Sequence, residues 1–242
     1  MWQTLLGRII YESPTGAKVY QNFKYRWLTF GSSAIQTLIN RHKPNKFSLC
    51  YFKELSLVLR VKPADCCLLG LGGAAMAHSL VPYIKDFSIT AVENDLEVIN
   101  IAKKYFMLET IKNLTVIHQD ASLYIKESKR QYHHILVDLS DANSFPKSCN
   151  SKDFFKNCHN KLNDGGVLAV NLANIAEQWE IFTFIRDIFP NCTVTLPING
   201  FANMVILASK SNSINPLLEI LKSSNDLKKL VWDEKWGCIA NL

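Results

Sequence analysis

Residues 65–75 read DCCLLGLGGAA, and this stretch decides the fold. Four small or apolar residues, Cys66 to Leu69, suit a strand buried on both faces. The glycine-rich turn that follows can adopt backbone angles closed to other residues, and the sequence then continues with helical spacing. Outward from this turn the pattern alternates. Residues 88–92 read as a strand and 96–105 as a helix with Val98, Ile99, Ala102 and Tyr105 on one side. Further strands are expected at 114–118, 135–138 and 167–171, with helices at 122–129, 154–162 and 176–189. Asp164-Gly165-Gly166 reads as a helix stop. Alternating strands and helices imply a doubly wound α/β fold with a mostly parallel sheet. The runs at 193–197 and 204–208, around Asn199-Gly200, predict a terminal antiparallel hairpin.

The flanks differ from this centre. Residues 1–60 predict a small β-rich N-terminal unit, with strands at 5–12, 17–20 and 26–30 and a linking helix over 47–60. The main domain is expected over 61–210. Residues 211–242 read as a C-terminal helical tail of two short amphipathic helices.

Of the 242 residues, 48% are apolar and 20% charged, an ordinary globular balance. The apolar runs fall short of the ~20 residues a membrane helix needs, and the first residues lack the features of a secretory signal, so a cytoplasmic protein with no membrane partner is expected. The net charge of +6 is spread along the chain and gives only a weak hint of nucleic acid, which is not the expected partner. Seven cysteines include no CxxC pair and read as reduced core thiols; the six histidines show no ligand spacing, so no metal is expected.

The residues that can carry chemistry fall at strand ends. Gly70 and Gly72 let the backbone approach a ligand. Glu93, at the end of the next strand, stands where an acid accepts hydrogen bonds from ribose hydroxyls. Asp120 and Ala121 end the third strand, where a carboxylate and a backbone amide can read an adenine edge. Asp138 and Asp141, in the motif DLSD at the end of the fourth, can attract a cation or take a proton from an amine. The residues suit both a dinucleotide and an AdoMet-type nucleoside; the late hairpin and Asp120 favour the latter.

These motifs together resemble the spermidine synthase (polyamine aminopropyltransferase) family, most of all its short bacterial spermidine synthase-like proteins, which share the fold of AdoMet-dependent methyltransferases. The resemblance runs from about residue 9 to 209. It rests on IIYESPTG (9–16), RWLTFGSSAIQT (26–37), LLGLGGAA (68–75), AVENDLEVINIAKKYF (91–106), VIHQDASLYI (116–125), ILVDLSDA (135–142) and GGVLAVNL (165–172). It implies that Gln36 lies over the cofactor, Glu93 holds the ribose, and Asp120 with Ala121 holds the adenine. Asp138 is then the general base and Asp141 a substrate-binding acid. The implied reaction moves an aminopropyl group from decarboxylated AdoMet to putrescine or a similar amine. Members carry an acid in the glycine loop where this chain has Gly73, and their tyrosine and acid beyond the N-terminal unit have only loose counterparts in Tyr51 and Glu54. The absent acid leaves methyl transfer from AdoMet as an alternative, and a non-catalytic nucleoside- or polyamine-binding protein, a homodimer built through the N-terminal strands, as another.

Overall fold

A computed structural model describes residues 4–31, 34–139 and 144–242. These residues form a four-stranded antiparallel sheet followed by a nine-stranded mixed sheet. The first comprises β1 (Arg8–Glu12), β2 (Ala17–Gln21), β3 (Tyr25–Phe30) and β4 (Ile35–Asn40), paired in chain order. Three of these strands match the sequence expectation. The fourth does not: IQTLIN alternates poorly, and its last four residues are all buried.

Two short helices, α1 (Phe52–Leu55) and α2 (Leu57–Val61), replace the single linking helix expected. The large sheet then begins. Its parallel strands are β5 (Cys66–Leu69), β6 (Ile89–Glu93), β7 (Leu114–His118), β8 (Tyr132–Val137) and β9 (Leu162–Leu172). They alternate with α3 (Ala75–Leu80), α4 (Leu96–Tyr105), α5 (Ala121–Glu127) and α6 (Lys152–Lys161). After α7 (Ile175–Ile188) the strands β10 (Thr193–Pro197) and β11 (Met204–Ser209) pair antiparallel, and β11 lies against β9. The order β10-β11-β9-β8-β5-β6-β7 is the doubly wound sheet of the AdoMet-methyltransferase type that the residue pattern led one to expect.

Burial on both faces explains the unbroken apolar strands. Along β5, Cys66 and Leu68 join one core cluster, whereas Cys67 and Leu69 join the other. All seven cysteines are free thiols, five of them buried. No helix among the described residues is long and apolar enough to cross a membrane.

Two further expectations are corrected. Asp164-Gly165-Gly166 does not stop a helix: β9 already begins at Leu162, and Tyr132↔Leu162 is followed by His134↔Val167, so the intervening residues bulge from the sheet. Gly165 takes φ +72° within that bulge. The tail holds one helix, α8 (Asn215–Ser223), and then a hairpin of β12 (Lys229–Asp233) and β13 (Gly237–Asn241), with β13 parallel to β10. Asp233 Oδ1 accepts from the amides of Lys235 and Trp236 and so makes the turn. Asp226, before the hairpin, pairs with Lys53 at 2.9 Å and Arg60 at 2.8 Å, which ties the tail to α1 and α2.

The two sheets meet at α4. Ala17, Val19, Leu28 and Ile39 of the small sheet pack with Ile101 and Phe106. Tyr11 Oη donates to Glu97 Oε1 at 3.2 Å, and the Arg26 guanidinium donates to the Tyr105 carbonyl. The small sheet thereby walls the carboxyl edge of β5 and β6.

Candidate active site

A cleft of about 500 Å³ opens at that edge, and its lining includes Gln36, Tyr51, Gly70, Glu93, Asp120 and Asp138. Gly72 and Ala121 line it too. Every sequence-derived site residue that the structure describes therefore faces one space. Asp141 lies outside the described residues.

The glycine turn is shaped by close approach. Gly70 has φ +93°, and a Cβ there would sit 2.3 Å from the Asp138 carbonyl oxygen. Glycine at 70 thus lets the ends of β5 and β8 come together, which places the Asp138 side chain beside the turn. Gly73 is constrained by a side chain instead. Its amide donates to Thr37 Oγ1 at 2.7 Å, and a Cβ at 73 would meet Thr37 Cγ2 at 2.6 Å. The small sheet's last strand thereby fills the space that a side chain at 73 would occupy.

Glu93 ends β6 and is already bonded to the turn. Its Oε2 accepts from the amides of Leu71 at 3.1 Å and Gly72 at 3.2 Å, and Oε1 accepts from the Asp95 amide at 3.1 Å. With Gly73 bonded to Thr37, three successive turn amides have protein acceptors. A pyrophosphate-binding turn keeps such amides for its ligand, so this geometry speaks against a dinucleotide. A carboxylate offers about four lone-pair sites, so acceptor capacity remains on Glu93 for hydroxyl donors. Asp120 caps α5 through the Leu123 amide at 3.0 Å and accepts from Ser148 Oγ at 3.1 Å.

Asp138 stands half-buried between Tyr51 and Asn171. Tyr51 Oη donates to Oδ2 at 3.2 Å, and Asn171 Nδ2 donates to Oδ1 at 3.0 Å. Burial pushes its carboxyl up to about 6, against the two hydrogen bonds, which favour the ionised form. Burial, and then the charge of Asp138, hold the Tyr51 phenol well above its usual range, so it stays a donor. Asn171 was not singled out from the sequence, where it reads only as the end of a strand. Glu54 does not line the cleft; burial raises its carboxyl above the ordinary value. Among the described residues no group of three or more His, Cys, Asp or Glu side chains gathers as metal ligands would.

A glycine turn bonded to a strand-end acid, with a half-buried carboxylate across one cleft, fits a transferase of the methyltransferase fold. The chain matches the spermine/spermidine synthase domain over residues 53–214 and belongs to that family. It is 26% identical over 206 residues to a polyamine aminopropyltransferase of Neisseria meningitidis serogroup A, spanning 83% of this chain and 78% of that protein. In fold it is similar to a probable spermidine synthase from Corynebacterium glutamicum, with a TM-score of 0.74 at 15% identity over 90% of this chain and 86% of that one. It is also similar to a spermidine synthase in complex with the transition-state analogue AdoDATO, with a TM-score of 0.65 at 17% identity over 88% and 75% of the two chains.

Proposed function

We propose that this protein transfers an aminopropyl group from decarboxylated AdoMet to putrescine or a similar small amine. The observation that carries the reading is the Asp138 carboxylate, raised to about 6 and held by Tyr51 and Asn171 in the same cleft as Glu93. A base must be ionised at working pH yet keep real affinity for a proton, and burial puts Asp138 in that range.

Glu93 binds the ribose hydroxyls, Asp120 and Ala121 border the adenine, and Gln36 covers the nucleoside from β4. When bound, the donor supplies a carbon activated by a sulfonium, which departs as neutral methylthioadenosine. Asp138 takes the proton that the acceptor nitrogen sheds as the new C–N bond forms and the C–S bond breaks. The walls from β4 and α1 align the two reactants and keep bulk water from the attacking nitrogen. Asp141 is assigned, by its place in the motif, to the acceptor's far ammonium.

Gly73 favours a second reading, methyl transfer from AdoMet. With Thr37 against it, position 73 presents no acid to grip an aminopropyl ammonium and none to repel AdoMet's own carboxylate. Parallel calorimetric titration of decarboxylated AdoMet, AdoMet, methylthioadenosine and NAD separates the readings. Tightest binding of the decarboxylated donor is expected; preference for AdoMet supports methyl transfer, and binding of NAD alone refutes both.

A further inference from the structure

Asp138 is held through a chain of amides that reaches beyond the cleft wall. Asn171, on β9, is 3% exposed and points its Nδ2 at Asp138 Oδ1. A side-chain amide can turn over, and its two ends have opposite polarity: the NH2 end stabilises a neighbouring carboxylate, whereas the oxygen end repels it. A second amide fixes which end faces Asp138. Asn203, in the turn just before β11, donates through Nδ2 to Asn171 Oδ1 at 3.0 Å. That leaves Asn171 oriented with its NH2 toward the carboxylate.

The turn carrying Asn203 is itself anchored. Gln178, buried on α7, donates through Nε2 to the carbonyls of Ala202 at 2.7 Å and Leu172 at 3.1 Å. The Ile198 amide donates to the Asn203 carbonyl at 3.0 Å. One buried side chain therefore staples the β10–β11 turn to the end of β9, at Leu172, the residue after Asn171.

We propose that Asn203 is a positioning residue for the transfer reaction, acting through Asn171 to keep an N–H donor on Asp138. The proposal rests on the reading of Asp138 as the base. It gives the antiparallel hairpin at the end of the fold a part in the chemistry, although Asn203 reaches the carboxylate only through Asn171. The other titratable groups around the carboxylate are placed differently. Tyr51 faces its second oxygen from the start of α1, while Glu93, Asp95, Asp120 and Cys149 line the cleft from other walls.

Loss of the Asn203 donor frees Asn171 to present its oxygen, so Asp138 holds its proton to higher pH. A base that must be ionised then fails first on the acid side. For Asn203→Ala and Asn203→Asp, transfer is expected to fall about tenfold near pH 6 and to recover toward wild type by about pH 9, as an upward move of one limiting pKa requires. The KM for the donor is expected to stay unchanged. Carbon-13 NMR of the labelled Asp138 carboxyl reads the same change without turnover, as an upward move of its midpoint.

The Asp variant adds a charge that acts on Asp138 directly, so the relay is judged on Asn203→Ala, repeated on Asn171→Ala. If Asn203 acts through Asn171, Asn203→Ala produces no further movement of the midpoint there. An unmoved Asp138 midpoint in Asn203→Ala, or an equal movement with and without Asn171, overturns the relay. An Asp138→Asn enzyme that still transfers refutes the base instead. The two failures are thus distinguishable.

Discussion

Replacing Asp138 with Asn is expected to stop transfer and, above pH 6, to stabilise the protein. Burial raises the carboxyl from the usual 3.8 to about 6. The folded state therefore keeps a proton through a range where the unfolded chain has lost it. Between those values wild-type stability falls as pH rises, and above about 6 the whole penalty is present. At about 1.4 kcal/mol for each tenfold change in proton affinity, the penalty has an upper bound of about 3 kcal/mol. The cleft admits solvent, so about 1–2 kcal/mol is the expected net effect. An amide side chain carries no such charge; its oxygen can accept from Asn171 Nδ2 while its NH2 donates to the Tyr51 hydroxyl oxygen.

Urea denaturation of both proteins at pH 4 and pH 8 tests this reasoning. The two are expected to match closely at pH 4, and the Asn variant to be more stable by about 1–2 kcal/mol at pH 8. Transfer by the variant is expected to fall by about 10²–10⁴-fold, the usual contribution of a positioned base. Equal stability at both pH values, or a variant less stable at pH 8, would refute the claim that Asp138 is a strained, proton-retaining group.

Other outcomes follow from the same geometry. Tyr51→Phe removes a donor from the Asp138 carboxylate, so the acid limb of the rate profile is expected to rise and cost about tenfold near pH 6; an unchanged limb would separate Tyr51 from the base. Glu93→Ala is expected to weaken nucleoside binding by about 10–100-fold in calorimetry, from the loss of charge-assisted contacts of about 1.5–3 kcal/mol. Affinity equal to wild type would remove Glu93 from the ribose site. Gly70→Ala would force a Cβ to 2.3 Å from the Asp138 carbonyl oxygen at φ +93°. A loss of at least about 2 kcal/mol is expected in thermal or urea unfolding, and a wild-type Tm would show that β5 and β8 do not approach as described.

The centre of the fold was legible because burial on both faces forces a simple pattern. Cys66 to Leu69 and Ile135 to Val137 are continuous apolar runs, and the next residues, Gly70 and Asp138, necessarily emerge at the same sheet edge. Glu93 was legible for the same reason. The strand β4 was not, since Gln36, Thr37 and Asn40 put polar residues in a strand, and Thr37 earns burial only by capping the Gly73 amide. The hairpin β12–β13 was missed because five-residue elements carry too few periods to tell a strand from a helix, and its register depends on β10, some 40 residues earlier. Asn171 and Asn203 left no local signal at all. Their meaning comes from contacts 33 and 32 residues apart in the chain, formed only when the sheet closes.

The most direct test of the whole account is a product measurement. Purified protein is incubated with decarboxylated AdoMet and putrescine, and methylthioadenosine and spermidine are quantified together by mass spectrometry. Equimolar release of the two, lost in Asp138→Asn, is the expected result. Absence of both, alongside S-adenosylhomocysteine formed when AdoMet is supplied with an acceptor, would contradict aminopropyl transfer at this cleft.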